Sequence, residues 1–343
     1  MSAVLPRTGA DVPGWDAVAA AGLTGGGAFA DRAAEHAALR SVAAGDLGLA
    51  RVLDGHRNAL ERLLLHRPDE VAAADRACAA EGVVPHGVWG ADPRPDDVPA
   101  SVPAALDEDG RTVSGVKVFC SGAGLVERAL VLVRPAPGAA GPTACVLLDV
   151  SDPDRAAVDR SWFAGAALRT SASHRVVLDR ARVLATLGPA GRASALLEEP
   201  WFSGDALRTA VTWAGALDAV LAGTGDALRG RECSDAEAVL LGRAHAARAS
   251  VDRWLDHATA AITEDPAGLP RTVLLARLEI TERCREALRA CAELTGSHPM
   301  AVGADAARAR ADLDLLLLQH RLTPAAVRLG RELLSTANGS TTS

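Results

Sequence analysis

Helical periodicity fills both ends of this chain and fails in the middle. Residues 14–82 read as helices. Trp15–Ala21 ends at the Gly25-Gly26-Gly27 break, and Ala28–Ala44 follows. Leu47–Leu65 carries Leu49, Val52, Leu53, Leu60, Leu63 and Leu64 as one apolar stripe. A further helix runs from Pro68 to about Ala80. Then the stretch from Val83 to Pro103 brings Pro85, Pro93, Pro95, Pro99 and Pro103, which exclude helix through most of it. Val and Leu runs at about 112–119, 129–135, 143–150 and 174–184 predict strands, and residues 135–142 form a hairpin connector.

From Asp205 onward the pattern returns to helix. Asp205–Gly230 repeats apolar residues at Leu207, Val211, Ala214, Leu217 and Leu221. Ser234-x-x-Glu237 is a capping box that opens the next helix, to about Ile262. Leu269–Leu294 and Ala304–Arg321 follow, and Thr323-Pro324 starts a last helix to Leu334. Long helices with short connections suggest a bundle. The chain is therefore expected to be α+β. It should have an N-terminal helical domain (1–82), a middle antiparallel β domain (83–190) and a C-terminal four-helix bundle (191–343).

Composition removes several classes. The net charge of −7 argues against nucleic acid, which needs a clustered basic face. No apolar run is long enough to span a membrane, and the N-terminus has no signal-peptide pattern. The six cysteines show no C-x-x-C spacing, so no metal site is expected. They read as reduced packing residues of a cytoplasmic protein. The glycines of residues 121–124 and 223–226 do not join a strand to a helix in a βαβ unit, so they are not dinucleotide fingerprints.

Two segments concentrate the remaining signal. The first contains Gly115, Lys117 (the one lysine in the chain), Phe119 and Ser121, and the second contains Arg169-Thr170-Ser171 and the strand Val176–Val183. Nearer the C-terminus lie Gly296-Ser297 and Arg308-x-Arg310-x-Asp312. In this order and spacing the chain resembles the flavin-dependent acyl-CoA dehydrogenase family, as a divergent and shortened member, from roughly Gly45 to Leu334. The resemblance implies FAD, or FMN in a monooxygenase-like member. It also implies α,β-dehydrogenation of an acyl thioester, a homodimer or homotetramer, and transfer of electrons to an electron-transfer flavoprotein. Flavin contacts would come from Trp89, Phe119, Ser121 and Arg169, and from Gly296 and Ser297 across a subunit boundary.

The catalytic base is where the resemblance breaks down. Family dehydrogenases place a glutamate eight residues after the aspartate matched by Asp312, and here that position is His320. Members that carry the base on the first bundle helix would place it at Asp205. Removing a weakly acidic α proton needs a carboxylate within hydrogen-bond reach. Asp205 follows Gly204 at an expected helix start, where an N-cap role is favoured over a base. Flavin-dependent monooxygenases built on the same fold often carry a histidine where the dehydrogenases have glutamate, so His320 keeps that alternative open. A non-catalytic flavin-binding or partner subunit is the third reading. Phe119 could equally be a core aromatic, Ser121 a turn residue, Arg169 a solvated surface charge, Trp89 plain packing, and His56 a satisfied core histidine.

Overall fold

The computed structural model describes residues 12–66, 68–97, 101–136, 143–188, 195–319 and 322–339. The N-terminal part holds α1 (Trp15–Ala20), α2 (Arg32–Gly45), α3 (Leu47–Glu61) and α4 (Ala73–Glu81). Asp31 and Asp46 cap α2 and α3 by accepting the backbone N–H groups of Ala34 and Leu49, at 2.8 and 2.9 Å. The helix α3 is buried on every face, so its polar residues Asp54, His56, Arg57, Asn58 and Glu61 all need partners inside the protein.

The β unit contains β1 (His86–Trp89), β2 (Ala105–Leu106), β3 (Thr112–Cys120), β4 (Arg128–Val133), β5 (Ala144–Asp149), β6 (Ala156–Asp159) and β7 (His174–Leu187). The strand order is β1-β4-β5-β7-β3-β2, with β6 also on β7. β7 is the spine. Its first half pairs with β3 and β6, and its second half pairs with β5. The sheet is mixed rather than wholly antiparallel, because β1 runs parallel to β4. Periodicity could not reveal β1, β2 and β6, which have four, two and four residues. β3 and β4 follow one another in the chain but are not hydrogen-bonded neighbours. β4 and β5 do pair antiparallel, as the connector required, although residues 137–142 lie outside the described residues.

The C-terminal part holds α5 (Trp201–Leu228), α6 (Asp235–Glu264), α7 (Leu269–Thr295), α8 (His298–Val302), α9 (Asp305–Gln319) and α10 (Thr323–Gly339). The capping box at Ser234 and Glu237 is present in both directions. One apolar cluster runs from Leu39 and Leu53 through Trp213, Leu217 and Ile280 to Leu313. The N-terminal helices and the bundle therefore share a core, and the β unit keeps its own around Val131, Val146 and Val176. Burying one such Leu or Val contributes about 1.5–3 kcal/mol. Cys284 and Cys291 lie buried on α7, whereas Cys233 is exposed and so is not the packing residue expected.

Candidate active site

Two short turns meet beneath the bundle. The first follows β3. Phe119 sits at a β-bulge with φ 52°, in the left-handed region where a bulky residue is an outlier. The second, Arg169–Ser171, lies between two residues of positive φ, Leu168 at 54° and Ala172 at 43°. Backbone bonds zip the turns together. Gly122 N–H donates to the Ser171 carbonyl at 2.8 Å, and Ala123 N–H to that of Ala172 at 3.2 Å.

The second turn is held from two further sides. The capping carboxylate of Asp46 on α3 accepts the Thr170 hydroxyl at 2.6 Å, and Asp312 on α9 accepts the Leu168 N–H at 2.6 Å. Burial pushes the Asp312 carboxyl up, opposed by that N–H. α3 approaches so closely that a Cβ on Gly48 would lie 2.2 Å from Thr170 Oγ1 and 2.7 Å from Ser171 N. Strained backbone of about 1–3 kcal/mol per residue persists only where its surroundings over-determine it, and it concentrates at functional sites.

The turns form one wall of a cavity of about 460 Å³. Phe119, Phe163, Ser121, Ser173, Arg51, Asp92 and Arg94 line it, and Leu315, Leu318 and Gln319 of α9 close the far side. Phe119 is 47% exposed and stands edge-on to Trp162 and Phe163, with ring centroids 4.9 and 6.4 Å away. An aromatic that is both strained and half-exposed gains little from core burial, and its apolar surface faces the cavity. Arg51 is anchored by the fully buried Asp54 at 2.7 Å. Asp92 is already neutralised. One oxygen accepts Lys117 Nζ at 2.8 Å and the other accepts Arg134 at 3.3 Å. Lys117 is itself buried, with its other two protons donated to the Gly90 and Leu132 carbonyls.

The structure separates the sequence-predicted residues. Phe119 and Ser121 come together. Trp89 does not line the cavity. It lies in β1, is 2% exposed, and donates its indole N–H to the Ser121 carbonyl at 3.1 Å, so it supports the turn from beneath. Arg169 is exposed on the second turn. Gly296, with φ 65°, and Ser297 end α7 and begin α8, and Gly296 lines a different cavity of about 250 Å³ with Arg310 and His298. His320 lies outside the described residues, one position beyond Gln319.

Asp205 requires the main correction. It does not cap α5, which begins at Trp201, where the Glu199 carboxylate accepts the Ser203 N–H at 3.1 Å. Nor does it reach the cavity. Its oxygens accept Arg62 at 2.5 Å and Arg208 at 2.8 Å, inside a buried ionic cluster that also holds Glu35, Arg57, Asn58 and Glu61. Burial pushes the Asp205 carboxyl up to about 6, with Arg208 and Arg62 pulling the other way. Burial also acts upward on Glu35, but Arg208, Arg32 and Arg57 outweigh it and hold the carboxyl at about 2. His56 is a satisfied core histidine. It accepts the His86 N–H at 3.0 Å and bonds the Thr24 carbonyl at 2.8 Å.

Ser173, Ser171, Arg51 and Phe163 were missed as site residues. Ser171 closes the Arg169-Thr170-Ser171 motif, whereas Ser173 showed only its alternation with Ser171 just before β7, which any half-exposed segment could carry. Among the described residues, no group of three His, Cys, Asp or Glu side chains could hold a metal ion, and no helix is long and apolar enough to cross a membrane.

No protein-family model matches this chain, and no curated protein matches it. Solved structures do. KijD3, in complex with FMN and dTDP-3-amino-2,3,6-trideoxy-4-keto-3-methyl-D-glucose, superposes with a TM-score of 0.77 at 21% identity, over 93% of this chain and 86% of that one. Butyryl-CoA dehydrogenase from Megasphaera elsdenii superposes with a TM-score of 0.73 at 15% identity, over 91% and 87%. The chain has the acyl-CoA dehydrogenase fold. A nitrososynthase from Micromonospora carbonacea var. africana shares it, with a TM-score of 0.74 at 22% identity over 96% and 90% of the two chains. At these identities the likeness establishes the architecture alone.

Proposed function

We propose that this chain is a flavin-dependent oxidoreductase of the monooxygenase kind, with FMN or FAD held in the cavity beside Phe119 and Ser121. The observation that carries the reading is the pairing of those two residues on one strained wall of a cavity of about 460 Å³. The lining suits a flat ring with polar edges. Phe119 and Phe163 offer apolar surface, Ser121 and Ser173 offer hydroxyls at hydrogen-bond height, and the guanidinium groups of Arg51 and Arg94 attract anionic groups. The reported complex of KijD3 with FMN on the same fold supports the assignment.

When bound, a flavin supplies redox chemistry that protein side chains lack. The chain's own residues orient and exclude. The turns fix the ring-facing wall, and α9 closes the opposite side and limits water. The preference for monooxygenation over acyl-thioester dehydrogenation rests on the missing base. Asp92 is the one carboxylate among the described residues of the lining, and Lys117 and Arg134 hold it. Asp205 is committed to Arg62 and Arg208 in the core. A base must reach the proton it abstracts, and neither carboxylate faces the cavity free to do so.

Oligomerisation belongs to the same reading. α10 buries none of its described side chains, and Val327, Leu333 and Leu334 remain exposed, so a second copy would cover this face in a homodimer or homotetramer.

Purified protein titrated with FMN and with FAD should bind at least one of them and quench its fluorescence. Supplied with reduced flavin, it should then consume oxygen only slowly until a substrate is present. Failure to bind either flavin removes the reading. Bleaching of bound oxidised flavin by acyl thioesters would restore dehydrogenation in place of monooxygenation.

A further inference from the structure

Behind Ser121 lies a chain of hydroxyls whose direction can be deduced from proton counting. Ser121 Oγ and Ser173 Oγ are 2.9 Å apart, Ser173 Oγ and Ser171 Oγ are 2.7 Å apart, and Ser171 Oγ lies 2.7 Å from the Leu168 carbonyl oxygen. The three side chains are 9, 6 and 0% exposed. A serine hydroxyl carries one proton and two acceptor sites. The carbonyl can only accept, so Ser171 must donate to it. That uses Ser171's proton, so Ser173 donates to Ser171. Ser173's proton is then used as well, so Ser121 donates to Ser173. The end of the chain therefore faces the cavity with lone pairs and no proton to offer.

On the proposed flavin reading, we infer that Ser171 and Ser173 are positioning residues. They force Ser121 to act as a hydrogen-bond acceptor toward the bound ring and so bias the site toward reduced flavin. The reduced ring carries N–H donors where the oxidised ring carries bare acceptor nitrogens. An acceptor-only wall can satisfy the first and leaves the second facing lone pairs. Leaving a desolvated polar group without a complementary partner is the costly case, so the two redox forms are bound unequally. The relay is also hard to reverse. Leu168 sits in a left-handed turn with its N–H held by Asp312, its carbonyl also accepts the Ser171 backbone N–H at 3.0 Å, and Ser171 is shut from solvent that might offer its hydroxyl proton another acceptor.

The test compares affinities for reduced and oxidised FMN, measured anaerobically on the intact protein. Wild type should bind reduced FMN more tightly. In Ser171→Ala the anchor is lost, Ser173 can turn its proton to Ser121, and Ser121 can donate into the cavity. The reduced-to-oxidised preference should then fall about tenfold, which for a two-electron couple is a downward shift in midpoint potential of about 30 mV. In Ser173→Ala, Ser121 rotates freely and the preference should fall about threefold. Ser173→Ala decides the matter alone if Ser171→Ala does not fold. A folded variant with the wild-type ratio, or a wild type that prefers oxidised FMN, overturns the relay while leaving the flavin site standing. A wild type that binds FMN in neither form removes the flavin reading and the relay with it.

Discussion

Two polar regions border α3, and they are built by opposite rules. The cluster around Arg208 is closed. Glu35, Glu61 and Asp205 each meet a guanidinium, and Arg208 is 1% exposed. The wall around Ser121 is open. Its hydroxyls are bonded to one another on the inner side and present acceptors to the cavity, on a backbone bent into the left-handed region. Charge density alone would have chosen the first region as the site. Strain combined with unspent hydrogen-bonding capacity chooses the second, because a buried ion network is satisfied by its own members.

The largest test of this contrast is Arg208→Met. Removing that guanidinium leaves three buried carboxylates short of a partner, so stability should drop by about 3–5 kcal/mol in urea unfolding. If stability holds, the cluster is not a structural lattice, and Asp205 returns as a candidate base.

Acid should act through the same side of the molecule. Burial lowers His36 to about 4, His56 to about 3 and His86 to about 4, so each stays neutral in the fold while the unfolded chain protonates it below its ordinary value of 6.5. Stability conferred by these histidines is thus intact above 6.5 and declines as the pH falls. Asp205 opposes the trend. Raised to about 6 in the fold, it releases its proton on unfolding until the pH nears 3.8. Asp54, raised by burial as well, acts in the same direction as Asp205, but the three histidines outweigh the two carboxylates, so unfolding near pH 5 should take up protons on balance. Stability measured between pH 7 and pH 4.5 should therefore fall steadily. A flat profile would show that these histidines are not held neutral. The serine wall contains no group that titrates in this range.

Much of this contrast was legible in the sequence, but unevenly. Helix boundaries followed from apolar spacing and from the capping box at Ser234, which are local signals. Phe119 and Ser121 were legible because a strand motif places them at fixed offsets. Asp205 was misread because Ser203-Gly204-Asp205 looks like a helix start, whereas the N-terminal turn is set by Glu199 and Pro200, six and five residues before Asp205. The partners that define its role, Arg62 and Arg208, come from α3's continuation and the next turn of α5, and no pattern within one helix announces a pairing across 143 residues. Ser173 and Arg51 were hidden for the same reason, since their meaning depends on which elements the fold brings to one cavity.

On the open wall, substitutions should separate binding from stability. Ser121→Ala removes the cavity-facing acceptor. Affinity for reduced flavin should fall about tenfold, while unfolding changes by no more than about 1 kcal/mol. A stability loss comparable with that of Arg208→Met, with unchanged flavin affinity, would make Ser121 a structural turn residue.

Phe119→Gly is the smallest and sharpest case. Glycine occupies positive φ without a Cβ penalty, so the substitution relieves strain at the bulge while increasing the freedom of the unfolded chain. The two effects oppose each other, and the aromatic gives up little burial because it is half-exposed. Net stability should therefore move by less than about 1 kcal/mol in either direction. Flavin binding should nevertheless weaken, because the surface lost is the one that faces the ring. Calorimetry for the first quantity and FMN titration for the second give the decisive pair. If glycine destabilised the protein by as much as emptying a core position, Phe119 would be packing residue first, and the strained turn would owe its geometry to the β core rather than to a ligand.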